Sequence, residues 1–307
     1  MKTIRKQYQE SLFSSKILDF YFEGLSVAII DIETTGLYPE KNQMILGGIA
    51  IPDFKQSTIE TIQYFAENPG EESAVLQAYS GALENFHILI SYNGNRFDFP
   101  FLKKRLHVNH CPPLSISTGQ SLDLYWALNT HTPLRKILPN LKQKTVESFM
   151  GLWATRTDEI TGGESVELYH TYLKTGKKEL ESLILLHNRD DLLQLTRLLA
   201  ITEKIDLHKI MFFNGFPVFQ NGKIGYIEKI KPTKYYTALF GTLKPMPMDY
   251  KWFSDHYEVT ITACNGAFSI KLMDLPQSKL LDGDGHINYG YANSALLAVF
   301  KEILSKL

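Results

Sequence analysis

The chain has 307 residues, 44% of them apolar and 12% aromatic, and its formal net charge is -1. This composition is ample for the packed core of one large domain or two modest ones, so we expect a soluble globular protein. The near-zero net charge excludes a protein that holds duplex nucleic acid by its overall charge alone.

Membrane and secretory classes are also excluded by the sequence pattern. No stretch approaches the roughly 20 uninterrupted apolar residues of a membrane helix, and residues 1–10 lack the apolar segment of a signal peptide. We therefore expect a cytoplasmic protein with no membrane partner. Cys111 and Cys264 lie far apart along the chain, so we interpret both as ordinary thiols.

The first third of the chain is predicted to contain an antiparallel meander. Residues 1–24 are expected to be a helical or irregular lead-in. Apolar patterns typical of strands follow at 26–32, 44–51 and 57–65. After the break at 68–70 we expect a helix to about residue 85 and then a short buried strand at 87–92.

The middle of the chain is predicted to be mainly helical. We expect a basic helix from about Pro100, a strand passing into a helix over 121–128, short helices over 139–175 and one long helix over 177–203. Residues 101–150 carry seven basic and two acidic residues, an excess of 7 - 2 = +5. Such an excess could hold a phosphate backbone or could be a solvated helix surface.

The pattern becomes aromatic and β-rich after Ile205, where a second unit is expected to begin. Asn221-Gly222 and Asn265-Gly266 each lie between apolar runs and predict hairpin turns. A closing helix is expected from about Ser294. This unit shows no chemical constellation and is interpreted as a small α+β appendage that packs on the first domain or presents a binding surface.

Two carboxylates end the first core strand. Side chains alternate along a strand, so Asp31 and Glu33 point to one face while Ile30 and Ile32 point to the other. Burial of two adjacent like charges is costly unless a cation lies between them, and Mg²⁺ favours such oxygen pairs. The pair is therefore a candidate metal site.

A third acid, Asp98, lies between two phenylalanines just before Pro100. One interpretation is a helix N-cap, since Asp before a proline is a helix start signal. The other is a further metal ligand, and the residue alone does not decide between them.

The long helix offers an acid and a histidine on one face. His187 and Asp191 follow the spacing of an otherwise apolar stripe, whereas Asp190 shares a face with Gln194 and Arg197 and is expected to be solvated. Taken alone, His187 and Asp191 could form a buried hydrogen bond or belong to a site.

These segments together contain the groups needed for two-metal phosphodiester cleavage. Four carboxylates can hold two divalent ions, and a histidine that titrates near neutral pH can orient or deprotonate the attacking water. The candidate residues are Asp31, Glu33, Asp98, Asp191 and His187.

The same residues resemble the motifs of the DEDD exonucleases of the ribonuclease H-like superfamily, and within it the bacterial YprB-like group. Residues 31–37 (Asp-Ile-Glu-Thr-Thr-Gly-Leu) are similar to the first exonuclease motif, Asn93-x-x-x-Phe97-Asp98 to the second and His187-x-x-x-Asp191 to the third. The stretches 121–124, 145–152 and 158–162 are similar to the YprB-type domain.

The resemblance covers about residues 22–204 and implies a mixed sheet, antiparallel in its first three strands, flanked by helices. It implies that Asp31, Glu33, Asp98 and Asp191 bind two Mg²⁺ or Mn²⁺ ions and that His187 activates water. The histidine subclass places its histidine one position earlier, where this chain has Leu186.

Four further residues are implied to contact substrate. Thr34 and Leu37 would lie beside the terminal nucleotide, with Leu37 as a candidate base wedge, and Asn93 and Phe97 are the substrate-binding candidates of the second motif.

The domain prediction is a lead-in at 1–21, an exonuclease domain at 22–204 and an α+β accessory unit at 205–307. The leading functional hypothesis is a metal-dependent 3′ to 5′ exonuclease that acts on single-stranded ends of DNA or RNA. A nucleic-acid-binding module with little or no turnover, and a metal enzyme acting on a small phosphate ester, are the alternatives.

Overall fold

The computed structural model describes residues 1–158, 160–245 and 248–307. Two compact units are present. The first comprises residues 1–16, 26–115 and 123–205, and the second comprises residues 17–25, 116–122 and 206–307.

The strands are β1 (Lys2–Gln9), β2 (Val27–Thr34), β3 (Met44–Asp53), β4 (Thr58–Phe65), β5 (Ile88–Ser91), β6 (Ser121–Asp123), β7 (Phe216–Gln220), β8 (Lys223–Pro232), β9 (Thr237–Lys244), β10 (Tyr250–Phe253), β11 (Tyr257–Thr262) and β12 (Ala267–Leu272). The helices are α1 (Lys16–Phe22), α2 (Glu72–Leu83), α3 (Asp98–Val108), α4 (Leu124–His131), α5 (Leu134–Ile137), α6 (Gln143–Phe149), α7 (Gly162–Thr175), α8 (Lys178–Leu198), α9 (Leu207–Asn214), α10 (Gln277–Leu280) and α11 (Tyr289–Lys306). Within the described ranges, no helix is long and apolar enough to cross a membrane.

The first sheet is mixed, in the order β1-β4-β3-β2-β5-β6. Strands β2, β3 and β4 form the antiparallel meander that their apolar patterns predicted, and β5 pairs with β2 in parallel. The expectation of a helical or irregular lead-in is wrong for residues 2–9, which pair with β4 as an edge strand. No residue of β1 is buried, so backbone hydrogen bonds rather than an apolar pattern form this strand.

Helices cover both faces of this sheet, and two glycines of β3 allow them to approach closely. A Cβ atom on Gly47 would lie 2.6 Å from the ring of Tyr79 in α2, and one on Gly48 would lie 2.2 Å from Oδ1 of Asn188 in α8. Both distances are far below van der Waals contact, so only glycine permits this packing. The predicted long helix ends at Leu198, and a 3₁₀ stretch continues over Leu199–Lys204.

The second sheet has the order β10-β11-β12-β9-β8-β7, and its neighbouring strands are antiparallel. Both predicted hairpins are confirmed, between β7 and β8 and between β11 and β12. Asn221 and Gly222 have φ values of 51° and 75°, the left-handed backbone that a two-residue hairpin turn requires. The closing helix starts at Tyr289, where the side chain of Asn288 accepts a hydrogen bond from the Tyr291 amide.

Candidate active site

The first motif lies at the carboxyl end of β2. Glu33 is buried and Asp31 is half-buried, whereas Ile30 is part of the core. The pairing with β3 shifts register between Glu33 and Thr34, so the strand ends in an irregular turn just beyond the two acids. Strand alternation therefore directs both carboxylates into the same space, as the sequence pattern predicted.

Asp98 opens α3 but does not cap it. The N-cap position is Phe97, which makes no side-chain cap hydrogen bond, and Asp98 instead lines the cavity that contains Asp31 and Glu33. The connecting loop is held by Asp123, whose carboxylate accepts hydrogen bonds from the amides of Asn93 and Asn95 at 2.8 and 3.1 Å. Asn93 has a left-handed φ of 67°, which helps the chain turn from β5 into α3.

Helix α8 contributes His187 and Asp191 to the same cavity. The two side chains do not form the buried hydrogen bond considered above, because Nε2 of His187 lies 3.7 Å from Oδ2 of Asp191. Instead, Nδ1 of His187 lies 2.7 Å from Oδ2 of Asp158.

Asp190 is not solvated, contrary to the helical-face prediction. Its Oδ2 atom accepts hydrogen bonds from the amide and hydroxyl of Thr157, both at 2.6 Å, and from the Asp158 amide at 2.8 Å. The segment that carries these donors packs against the face of α8 that was expected to face water, and Gln194 is buried there as well. Asp190 therefore positions the chain that carries Asp158.

A buried arginine links this segment to the third motif. The guanidinium of Arg156, whose side chain is 1% exposed, binds Glu147, Asp158 and Asp191 at 2.8, 2.6 and 2.6 Å. It contacts Oδ1 of Asp191, so Oδ2 is the oxygen of that residue nearer to His187. The ion pairs fix the carboxylate of Asp191 in the cavity wall.

Asn188 positions the first acid. Its amide donates to Oδ2 of Asp31 at 2.8 Å, and its own oxygen accepts from Nε2 of Gln63 at 2.9 Å. Gln63 also donates to the Leu185 carbonyl at 2.9 Å. This chain of hydrogen bonds crosses from β4 through α8 to β2 and sets the orientation of the Asp31 carboxylate.

The cavity has a volume of about 390 Å³. All five predicted catalytic residues line it, namely Asp31, Glu33, Asp98, His187 and Asp191. Among the described residues, ligand atoms of Glu33, His187 and Asp191 lie within 4.8 Å of one another, a spacing at which they could hold one metal ion.

Three of the four cavity acids, Asp31, Glu33 and Asp98, have a raised pKa. Burial, followed by repulsion from Asp191, raises the pKa of Asp31 and of Glu33 well above the ordinary range. Burial also raises the pKa of Asp98 to about 7. Oxygen-rich sites whose carboxylates repel one another suit hard divalent cations, which offset the charge without a proton. The donor set therefore fits a divalent metal.

Two opposing effects act on His187. Burial lowers its pKa, but the hydrogen bond with Asp158 and the nearby charge of Asp191 raise it, and the net direction is upward. For Asp158, burial raises the pKa, but the hydrogen bonds with His187 and Arg156 prevail and lower it to about 2. Asp158 is therefore a stable anion beside the imidazole at neutral pH.

The predicted substrate-binding residues lie in different environments. Asn93 and Phe97 line the cavity. Thr34 is buried and its hydroxyl donates to the Gly36 carbonyl at 2.8 Å, so it shapes the turn. Leu37 is 72% exposed, so its side chain is accessible from solvent.

The basic residues of the stretch 101–150 do not form one group. Arg105 is buried and pairs with Glu72 at 2.5 Å, so it is structural. Lys142 and Lys144 line the cavity, and Nζ of Lys144 lies 3.4 Å from Oδ2 of Asp158. Nζ of Lys144 donates to the Ile160 carbonyl at 2.7 Å.

Sequence reasoning missed three residues that position the site: Arg156, Asp158 and Asn188. Asp158 lies in the stretch 158–162, which is similar to the YprB-type domain, but that resemblance assigned no role to the residue. Arg156 and Asn188 were assigned no role, because Asp191 lies far from Arg156 in the sequence, and Gln63 and Asp31 lie far from Asn188.

Comparison with known proteins identifies the superfamily of the chain. The sequence model of the RNase H superfamily matches residues 28–202. No curated protein matches the chain significantly in sequence.

Solved structures give distant similarity to parts of larger proteins. The family B DNA polymerase of Pyrobaculum calidifontis is 17% identical with a TM-score of 0.46, over 62% of this chain and 25% of the polymerase. E. coli exonuclease I in complex with a dT13 oligonucleotide is 12% identical with a TM-score of 0.41, over 77% of this chain and 55% of the exonuclease. The chain thus spans about a quarter and about half of these two proteins.

Proposed function

Because the chain belongs to the RNase H superfamily, we propose that it is a metal-dependent nuclease, specifically a DEDD-type 3′ to 5′ exonuclease acting on single-stranded ends of DNA or RNA. Membership of the superfamily supports a nuclease in general terms. The observation that carries the proposal is the convergence of four acids and one histidine, drawn from three distant segments, on one cavity.

The acids would hold two Mg²⁺ or Mn²⁺ ions, with Asp31, Glu33, Asp98 and Asp191 as ligands. When bound, such ions activate a water molecule and stabilise the leaving oxygen of a phosphodiester. Arg156 and Asn188 keep Asp191 and Asp31 in place, which limits the reorganisation needed on binding.

His187 would accept a proton from the attacking water at Nε2. Its Nδ1 atom is engaged by Asp158, so in the neutral ring the proton lies on Nδ1 and the lone pair lies on Nε2. Nε2 is 3.8 Å from Oε1 of Glu33 and 3.7 Å from Oδ2 of Asp191, so the base lies beside the proposed metal ligands.

Substrate binding would use the residues around the acids. Lys142 and Lys144 would pair with the phosphate next to the scissile bond, and Phe97 would contact the terminal nucleoside. Leu37 would pack against the last base, since its side chain projects into solvent near the end of β2.

The test uses single-stranded DNA and RNA carrying a label at one end, incubated with Mg²⁺, Mn²⁺ or EDTA. A 3′ to 5′ exonuclease produces a progressive ladder from 5′-labelled strands, releases labelled mononucleotide from 3′-labelled strands and spares circular single strands. We expect this pattern with either metal and no cleavage in EDTA.

Asp31→Asn and Asp191→Asn should abolish cleavage, whereas Asp255→Asn makes the same chemical change at an exposed position of the second unit and should not. Cleavage of circular strands would overturn the exonuclease assignment. Binding of oligonucleotide with no cleavage in either metal would overturn the nuclease itself.

A further inference from the structure

One face of the second sheet is covered by a helix, and the opposite face carries several exposed side chains between β8 and β10. Phe268 of β12 lies 5.0 Å from Phe300 of α11, ring to ring, and a Cβ atom on Gly225 would lie 2.5 Å from Phe300. Helix α11 therefore covers the face to which Phe268 and Gly225 point. Residues that alternate with these along the strands point to the opposite face, and in β8 a bulge between Ile227 and Lys229 shifts the alternation by one residue.

Strand register aligns two rows of residues across that open face. Directly paired residues share a face, so each row can be followed from β8 through β9, β12 and β11 to β10. The first row is Lys229, Phe240, Ser269, Thr260 and Lys251. The second row is Lys231, Ala238, Lys271, Glu258 and Phe253.

These rows combine exposed aromatic rings with positive charge. Phe253 is 67% exposed and Phe240 is 37% exposed, although each is large and apolar. The two rows carry four lysines and one acid, and that acid, Glu258, pairs with Lys271 at 2.7 Å. The remaining residues are small or carry hydroxyl groups. We call this set of ten residues the open sheet face.

We propose that the open sheet face binds a single-stranded nucleic acid, with bases stacked on Phe240 and Phe253 and phosphates paired with Lys229, Lys231 and Lys251. Sheet surfaces bind single strands by stacking bases on exposed aromatic rings that are flanked by cations. The faces of the bases are accessible in a single strand, whereas in a duplex they are stacked on one another. The choice of ligand rests on the proposed function, and the surface itself rests on the strand register and on the exposed side chains.

The dimensions agree with a strand of several nucleotides. The two phenylalanines lie on β9 and β10, which are separated by three strand-to-strand steps of about 4.8 Å each. A span of roughly 14 Å allows separate bases to stack on the two rings, with lysines at both ends of the first row.

The test measures binding of fluorescein-labelled dT20 and rU20 to the full chain by fluorescence anisotropy in EDTA, so that cleavage cannot interfere. We expect Phe240→Ala/Phe253→Ala to weaken binding about tenfold or more. Lys229→Gln/Lys231→Gln should weaken binding and lower the slope of log K against log salt by about 1.4.

The matched control is Phe54→Ala/Lys55→Gln, which makes both kinds of change at exposed positions of the β3–β4 turn and should bind like the unaltered protein. The lysine variant keeps the test informative if the aromatic variant fails to fold, which melting curves would reveal. Unchanged affinity in the lysine variant, or in a folded aromatic variant, would overturn the proposal. Equal competition by heparin would also overturn it, since that polyanion has no bases to stack.

The two proposals fail in different ways. Loss of cleavage with retained, variant-sensitive binding would refute the nuclease and leave the open sheet face intact. Cleavage together with binding that is unchanged by the sheet substitutions would refute only the proposal for the open sheet face.

Discussion

The Nδ1 atom of His187 lies 2.7 Å from Oδ2 of Asp158, and this hydrogen bond turns the Nε2 side of the ring towards Glu33 and Asp191. Asp158 is 29 residues away along the chain and reaches the ring because Asp190 and Arg156 hold its segment against α8. Asp158 thus determines which imidazole nitrogen faces the cavity.

Replacement of Asp158 should therefore change His187 in a measurable way. In Asp158→Asn the imidazolium loses a carboxylate partner, so the pKa of His187 falls and the acid limb of the pH–rate profile moves to lower pH. We also expect turnover to drop by about tenfold or more, because Arg156 holds the amide oxygen and the amide NH2 then faces Nδ1, which favours the tautomer with its proton on Nε2. NMR titration of the His187 ring measures the pKa directly.

The control is Asp274→Asn, which removes the carboxylate of an exposed His–Asp pair, His256 and Asp274 at 2.6 Å. That variant should keep both turnover and pH profile. An unshifted acid limb in Asp158→Asn would show that His187 is not the group that titrates in catalysis.

Asp98→Asn should stabilise the metal-free protein at pH 8. Burial raises the pKa of Asp98 to about 7, so the folded state binds this proton more tightly than the unfolded chain does. The stability that this bound proton provides is present at low pH and is lost as the pH rises through about 7. An asparagine amide does not titrate, so Asp98→Asn does not undergo this loss. We expect a metal-free Tm roughly 5 °C higher at pH 8 and little change at pH 4.

The same variant should lose the stabilisation that a divalent metal provides. Mn²⁺ should raise the Tm of the unaltered protein at pH 8 and raise that of Asp98→Asn much less, because a ligand is missing. An equal metal-dependent rise in both proteins would exclude Asp98 from the metal site.

Arg156→Met should destabilise the first unit strongly. The substitution keeps much of the side-chain volume but leaves Glu147, Asp158 and Asp191 without their shared buried cation. Removal of one partner from a buried ion pair costs about 3–5 kcal/mol. Urea denaturation should show this loss, whereas Arg135→Met, at an exposed arginine, should change stability by less than about 0.5 kcal/mol. A stability loss below about 0.5 kcal/mol in Arg156→Met would mean that the three carboxylates pair with other groups.

Gly48→Ala tests how closely α8 must approach the sheet. The new methyl group would lie 2.2 Å from Oδ1 of Asn188, so the helix or the Asn188 side chain must move and the hydrogen bond to Asp31 is disturbed. We expect a stability loss of about 1–3 kcal/mol together with reduced cleavage. Gly81→Ala is the control, since nothing lies within 4 Å of its Cβ position in α2, and it should be neutral or stabilising. Unchanged cleavage in Gly48→Ala would show that Asn188 does not position Asp31.

Local patterns in the sequence were sufficient for much of the fold and for the acids of the site. Strands β2 to β5 are short apolar runs bounded by turn residues, and the Asn-Gly hairpins depend only on backbone geometry within two residues. The faces of Asp31 and Glu33 follow from strand alternation, and those of His187 and Asp191 from helical periodicity, so their common direction could be read along the chain.

Only the tertiary structure decided which partners these groups meet. The helical pattern placed Asp190 on the outside of α8, but a segment some 30 residues earlier in the chain packs on that face and buries it. Contacts between segments far apart in the chain also form strand β1 and the hydrogen-bonded bridge from Gln63 through Asn188 to Asp31. The ion pair between Arg156 and Asp191 arises in the same way. Periodicity reports which way a side chain points along its own element, and it contains no information about the distant element that will pack there.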